Sequence, residues 1–269
     1  MTELLSLKLV QYALIAGVLA GLLCGLMGVF VVIKRIVFIS GGISHTSYGG
    51  LGIAHYLGLP PFLGALVFAT LSAAILGNTS PNKIHRNDTL IGIFWAAGMA
   101  IGILFIKLTP GYTPPLSSYL FGSILFIAIS DIYIMMGLII LLSVVFTLFY
   151  KEWIAFSFDQ EFTSLKGIPV RGLNILLYTC IAFTIVVLIK IIGVVLVIAL
   201  LTIPPSIALI FTNSLKKVIL LSMILSVYFI TSGLIVSAYF SNIPSGPAII
   251  LQAGLILLIT QGLKKIFSR

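Results

Sequence analysis

The sequence predicts an all-α fold: a polytopic bundle of transmembrane helices with about nine membrane segments, forming one membrane domain over residues 1–269. Three observations carry that expectation. Only 8% of the residues are charged and 60% are hydrophobic, where a soluble domain carries about 25% charged residues, so little is left to build a water-facing surface. The apolar residues gather in runs at 10–33, 36–58, 60–77, 88–107, 131–150, 174–191, 194–212, 218–240 and 245–263, most of them near the roughly 20 residues that cross a bilayer. Lys and Arg collect at alternate junctions between these runs, which is how membrane topology is written into a sequence.

The first run, 10–33, is long enough to span. It lacks the basic stretch, short apolar core and small-residue cleavage site of a signal peptide, and is expected to be retained. It carries Gly17, Gly21 and Gly25, with Gly28 following, a doubled G-x-x-x-G that admits another helix backbone at close range. Packing within the subunit is the expected use, and a dimer contact the alternative. Cys24 in this run and Cys180 in a later one have no C-x-x-C spacing and read as small packing residues.

The second run reads IVFISGGISHTSYGGLGIAHYLG. A helix this rich in Gly, Ser and Thr is disfavoured against lipid and should lie inside the bundle or line a wet cavity. His45 lies near its middle; a lone histidine in a helix is more often a hydrogen-bonded structural residue, but a place close to the bilayer midplane, among small polar residues, favours a functional one. At 100° per residue Gly41, His45, Tyr48 and Gly52 share one face. His55 follows ten positions later, rotated by about 80° and raised by roughly 15 Å, so the two histidines cannot alone hold one ion. Neutral imidazole is a good ligand for zinc, manganese or iron. His45, with Ser44 beside it and His55 further along, therefore marks a candidate metal route, and His45 is its candidate ligand.

The runs at 60–77, 88–107 and 131–150 read as further membrane segments, some short and interrupted by Gly or Pro in a way that also suits buried or re-entrant helices. Between 151 and 172 lies the only long hydrophilic inside loop, KEWIAFSFDQEFTSLKGIPVRG. Asp159 or Ser157 can cap a short helix there, and Ser157-x-x-Gln160 fits a capping box. Gly167 and then Pro169 stop it. Phe158, Phe162 and Leu165 fall at i, i+4 and i+7 and are expected on one face. Membrane-surface helices are usually rich in Lys and Arg. This loop balances Lys151, Lys166 and Arg171 against Glu152, Asp159 and Glu161, so its aromatic face is expected to dock on a protein. The runs at 174–191, 194–212, 218–240 and 245–263 complete the bundle.

A net charge of +9 would suggest nucleic acid in a soluble protein; here it is read as topology, and no nucleic-acid partner is expected. With the N-terminus outside, the inside segments hold Lys34, Arg35, Lys83, Arg86, Lys151, Lys166, Arg171, Lys216, Lys217, Lys264, Lys265 and Arg269, which is 12 of the 15 basic residues. Lys8 and Lys107 fall outside, and Lys190 is expected at a tight external turn before Gly193. The asymmetry selects N-out, C-in in a cytoplasmic membrane.

None of the six acids, Glu3, Asp88, Asp131, Glu152, Asp159 and Glu161, lies in the middle of a run. Proton- and sodium-coupled carriers usually keep buried carboxylates for coupling, so a secondary transporter is disfavoured. The chain has no G-x-x-x-x-G-K-[ST] loop to cradle nucleotide phosphates. ATP hydrolysis, if it drives transport, must occur in a partner, and the chain is not expected to be an enzyme.

These residues resemble the ABC-type permease family for zinc, manganese and iron uptake over nearly the whole length. The segments that carry the resemblance are, in order, Lys34-Arg35 followed by Ser44-His45; Asp88-Thr89 with Ile91-Gly92-Ile93; Tyr119-Leu120-Phe121-Gly122-Ser123-Ile124-Leu125 with Asp131 after it; Phe158-Asp159-Gln160-Glu161-Phe162 with Leu165-Lys166-Gly167-Ile168; the stretch from Gly193 to Leu201 with Ile203-Pro204; and Ile243-Pro244-Ser245-Gly246. The resemblance implies a bundle like that of type II ABC importers, with a coupling helix at about 157–168 carrying Phe158, Asp159, Glu161, Phe162, Leu165 and Gly167. It implies a second permease copy, a cytoplasmic ABC ATPase dimer and an extracytoplasmic metal-binding protein as partners, in a lipid bilayer. The metal ion would be the substrate, with no cofactor. Alternatives are a permease for a metal chelate such as haem, cobalamin or a siderophore, and an ATP-independent channel-like pore. One departure stands out: family members commonly carry an Asp one turn before the histidine, and this chain has Gly41. A carboxylate restored there is expected to face the route beside His45.

Overall fold

In lipid every backbone N–H and C=O must be satisfied within its own segment, so long apolar runs become helices. The computed structural model describes residues 8–78, 84–111, 116–122, 127–240 and 244–267. Of the residues singled out above, Glu3, Lys83, 123–125, Ile243 and Arg269 lie outside them, as does the Arg86 side chain. Among the described residues the chain forms α1 (Lys8–Ile33), α2 (Val37–Tyr56), α3 (Pro61–Gly77), α4 (Ile84–Leu108), α5 (Leu116–Phe121), α6 (Ile129–Leu148), α7 (Tyr150–Phe158), α8 (Gln160–Leu165), α9 (Val170–Phe211), α10 (Leu215–Tyr239) and α11 (Ser245–Phe267), and no strand.

Six of these, α1, α4, α6, α9, α10 and α11, are long and apolar enough to cross a membrane. The count of about nine expected from the sequence is not reached on that measure. α3 has 17 residues, α2 is diluted by its Gly, Ser, Thr and His residues, and α9 takes up two apolar runs. With 42 residues α9 would measure about 63 Å if straight, against a hydrocarbon core of about 30 Å. It is broken instead at Gly193, whose φ of 78° and ψ of 161° are not helical. The expected external turn is thus a single non-helical residue, in a conformation that glycine adopts without steric cost.

The chain divides into two compact units. The first contains Met1–Arg35, Ser117–Ser143 and Val187–Arg269. Here α1 lies along α10. A Cβ at Gly21 would stand 2.8 Å from Val227 Cα, one at Gly17 2.9 Å from Ile230 Cγ2, and one at Gly25 2.5 Å from Met223 N. The doubled G-x-x-x-G is therefore covered by a helix of the same unit. Without a hydrophobic force between helices in lipid, such backbone approach is what association rests on. Gly28 continues the seam against Leu201 and Pro205 of α9. A Cβ on Gly193 would stand 2.5 Å from Gly122 N, so the break in α9 seats on the end of α5. Beside it, Lys190 Nζ pairs with Asp131 Oδ1 at 2.6 Å, while Asp131 Oδ2 accepts from Ala128 N at 3.3 Å. Asp131 is buried and Lys190 is exposed.

The second unit contains Ile36–Leu116 and Val144–Val186. In it α2 packs on both α3 and α4, and 14 of its 20 residues are buried. Gly50 meets the backbone of Gly64 on one side, and Gly49 and Gly52 meet Gly98 and Gly102 on the other. The small polar helix is thus inside. Cys24 and Cys180 are free thiols, each buried in its own unit.

Candidate functional site

α2 places His45 in the seam with α4. The residue is 7% exposed, and its ring stacks on Trp95, with centroids 4.3 Å apart and planes 21° from parallel. His45 Nδ1 is buried and has no hydrogen-bond partner among the described residues. The hydroxyls around it turn back to their own helix: Ser40 Oγ donates to Val37 O at 2.6 Å, Ser44 Oγ to Ser40 O at 2.7 Å, and Ser47 Oγ to Ser44 O at 2.6 Å. Thr46 donates to Gly42 O at 2.8 Å and contacts Phe94 O of α4 at 3.2 Å.

The face predicted to line a route, Gly41, His45, Tyr48 and Gly52, is covered by α4. A Cβ on Gly41 would stand 2.5 Å from Trp95 Cζ3, Tyr48 lies over Gly102, and Gly52 meets Gly102 O. A carboxylate at position 41 therefore does not simply face an open route, because Trp95 fills the place. Sequence reasoning missed Trp95, 50 positions from His45; the glycines of α2 signal a close neighbour without saying which residue fills the space at 41. His55 is partly exposed and its Nε2 is buried without a hydrogen-bond partner. Ten positions along an unbroken helix place it about 15 Å from His45, so the two are not brought together. Among the described residues no three His, Cys, Asp or Glu side chains form a metal-holding cluster.

Residues 150–167 form two helices, with a break at Asp159, whose backbone is extended. Asp159 is the cap of α8: its Oδ1 accepts from Phe162 N at 2.9 Å. Ser157 is not a cap. It lies within α7, buried, because Trp153 and Phe156 of that helix are wholly buried, with Trp153 against Phe146 at 4.8 Å. The Ser157-x-x-Gln160 capping box accordingly does not form, and Phe158 ends α7 instead of sharing a helix face with Phe162 and Leu165. All three are nonetheless exposed, at 64%, 48% and 86%. Glu161 sits in the first turn of α8, where a negative charge suits the helix dipole. Gly167, with φ 76°, closes α8: its N–H donates to Ser164 O at 3.0 Å and the Ile168 N–H to Thr163 O at 3.3 Å, a Schellman pair. Lys166 Nζ lies 4.5 Å from the Phe162 ring centre.

At the turn after α1, burial pushes the Lys34 ammonium down to about 8.

Six helices apolar enough to span, with a buried helix of small polar residues among the other elements, mark a polytopic membrane protein. The chain belongs to the ABC 3 transport family, which it matches over residues 6–263. It is 40% identical to an uncharacterized membrane protein of Synechocystis sp. over 98% of this chain and 94% of that one. It is 30% identical to the manganese transport system membrane protein MntC of Halalkalibacterium halodurans, over 93% of this chain and 86% of the relative. The structure of PsaBC from Streptococcus pneumoniae in complex with Fab superposes with a TM-score of 0.85 at 31% identity, covering 96% of this chain and 93% of that one.

Proposed function

We propose that this chain is the permease subunit of an ATP-driven importer for a divalent metal ion, zinc, manganese or iron, in the cytoplasmic membrane, with its N-terminus outside and C-terminus inside. The observation that carries the reading is the buried His45 imidazole, with a nitrogen that has no hydrogen-bond partner among the described residues, midway along an enclosed helix. A neutral imidazole there is a ligand for a transition metal in transit. The relative named for manganese transport supports a metal as cargo. The exposed Phe158, Phe162 and Leu165 support docking of 158–167 on a cytoplasmic ATPase, whose hydrolysis would drive alternating access. A second permease copy and an external metal-binding protein complete the assembly. The chelate-permease and channel alternatives are not favoured by the relatives.

The test is uptake in a strain lacking the chain. Re-expression with its ATPase and binding protein is expected to restore accumulation of one of radiolabelled Zn²⁺, Mn²⁺ or Fe²⁺, and an ATPase inactive in hydrolysis is expected to abolish it. Restored uptake with the inactive ATPase would contradict an importer driven by ATP.

A further inference from the structure

A histidine that ligates a metal is usually held through its second nitrogen, by a hydrogen bond to a carboxylate, carbonyl or water that fixes the ring plane and tautomer. His45 has no such bond: Nδ1 is buried without a hydrogen-bond partner, and the hydroxyls of Ser40, Ser44 and Ser47 donate to backbone carbonyls of their own helix. What meets the ring is Trp95, at 4.3 Å between centroids and 21° between planes. We propose that Trp95 is the positioning residue for His45, holding the imidazole plane by stacking where a hydrogen bond would ordinarily do so, and that Gly41 is the seat Trp95 requires. The inference rests on the reading of His45 as a ligand to the cargo.

The seat is steric. A Cβ at position 41 would lie 2.5 Å from Trp95 Cζ3, 3.1 Å from Cη2 and 3.2 Å from Cε3, and Cζ3 and Cε3 belong to the rigid ring body. Position 41 is one turn before His45, the place on this helix from which an acidic side chain would share an ion with it. A side chain at 41 and the Trp95 ring in its stacked position therefore exclude each other, and the ring, 38% exposed, would have to swing away. The pair also sets the chemistry that the cargo meets. With Trp95 in place, the groups beside His45 on this face are neutral, an imidazole and an aromatic surface, which suits zinc or iron. A carboxylate in its stead would suit manganese, which prefers oxygen ligands. Gly41 and Trp95 are thus a specificity-determining pair.

The experiment measures radiolabelled Mn²⁺ and Zn²⁺ uptake by the complete transporter in cells, with the amount of permease in the membrane determined for each variant. Trp95→Ala is expected to lower uptake by about 10-fold or more, the usual loss when the support of a ligand is removed, while Trp95→Phe, which keeps a ring over His45, retains it. Gly41→Asp alone is expected to fail. Gly41→Asp combined with Trp95→Ala is expected to recover uptake above either single variant, with the Mn²⁺-to-Zn²⁺ ratio raised above wild type. Gly41→Ala, the mildest intrusion, should shift the ratio, a readout independent of protein amount, so the inference stays testable if a harsher variant does not accumulate. Wild-type uptake and an unchanged ratio in Trp95→Ala, an unchanged ratio in Gly41→Ala, or identical effects of Gly41→Asp with and without Trp95 would overturn it. His45→Ala, measured alongside, separates the two ideas. Loss in His45→Ala with Trp95 and Gly41 variants that leave the ratio untouched refutes only the positioning pair, and wild-type uptake in His45→Ala refutes the ligand reading itself.

Discussion

At the scale of single residues, the alternative to a ligand role for His45 is a structural histidine that satisfies hydrogen bonds in the core. The geometry weakens that alternative, because Nδ1 has no bond to satisfy among the described residues. A glutamine at 45 keeps hydrogen-bonding groups but binds transition metals poorly. His45→Ala and His45→Gln are therefore expected to lose uptake together, by about 10-fold or more if His45 is a ligand, with permease levels in the membrane unchanged. Wild-type uptake in both would remove His45 from the route; rescue by Gln alone would favour the structural role. His45 stood out as a candidate in the sequence because an ionisable residue lies at mid-depth in an apolar run. Trp95 did not, because a stack between residues 45 and 95 depends on how two helices are set side by side, which neither periodicity nor spacing encodes.

At the scale of elements, helices ended where local chemistry ends them. Gly167 stops α8 through its positive φ, and this was readable from Gly and Pro in succession. Asp159 was readable as one of two candidate caps; that it and not Ser157 starts α8 was not, because burial of Trp153 and Phe156 carries α7 through Ser157. Removing the cap by Asp159→Ala is expected to cost α8 about 1 kcal/mol. Phe158→Ala with Phe162→Ala leaves both helices and every span intact but deletes exposed aromatics of a kind that can each be worth about 2 kcal/mol at an interface. Co-purification with the ATPase is expected to be lost while membrane insertion persists. Retention of both the ATPase and transport would exclude this segment as the docking site. The apolar runs at 174–191 and 194–212 were read as two segments; α9 is accordingly broken at Gly193, where two helices meet across one non-helical residue that does the work of the expected turn.

At the scale of the whole molecule, the membrane class was fixed by composition, since 8% charged residues cannot clothe a soluble surface. Division into two units, each assembled from separated stretches of chain, was not legible, because Lys34-Arg35 and the Pro-rich stretch before 116 look like any other junction between runs, and 143 and 186 fall inside apolar runs. The glycines of α1 show the same limit. Their spacing announces a close helix neighbour, yet only the fold names it as α10 of the same unit. The inside-positive distribution of Lys and Arg gives the bundle its proposed orientation, in which 158–167 would face the proposed ATPase. The most direct measurement of ATP-driven metal import is flux in proteoliposomes containing the purified permease, with its ATPase and binding protein supplied. Divalent metal is expected to accumulate only when hydrolysable ATP is present on the ATPase side, and to stop with His45→Ala. Metal entering vesicles that contain the permease alone, without ATP, would contradict it.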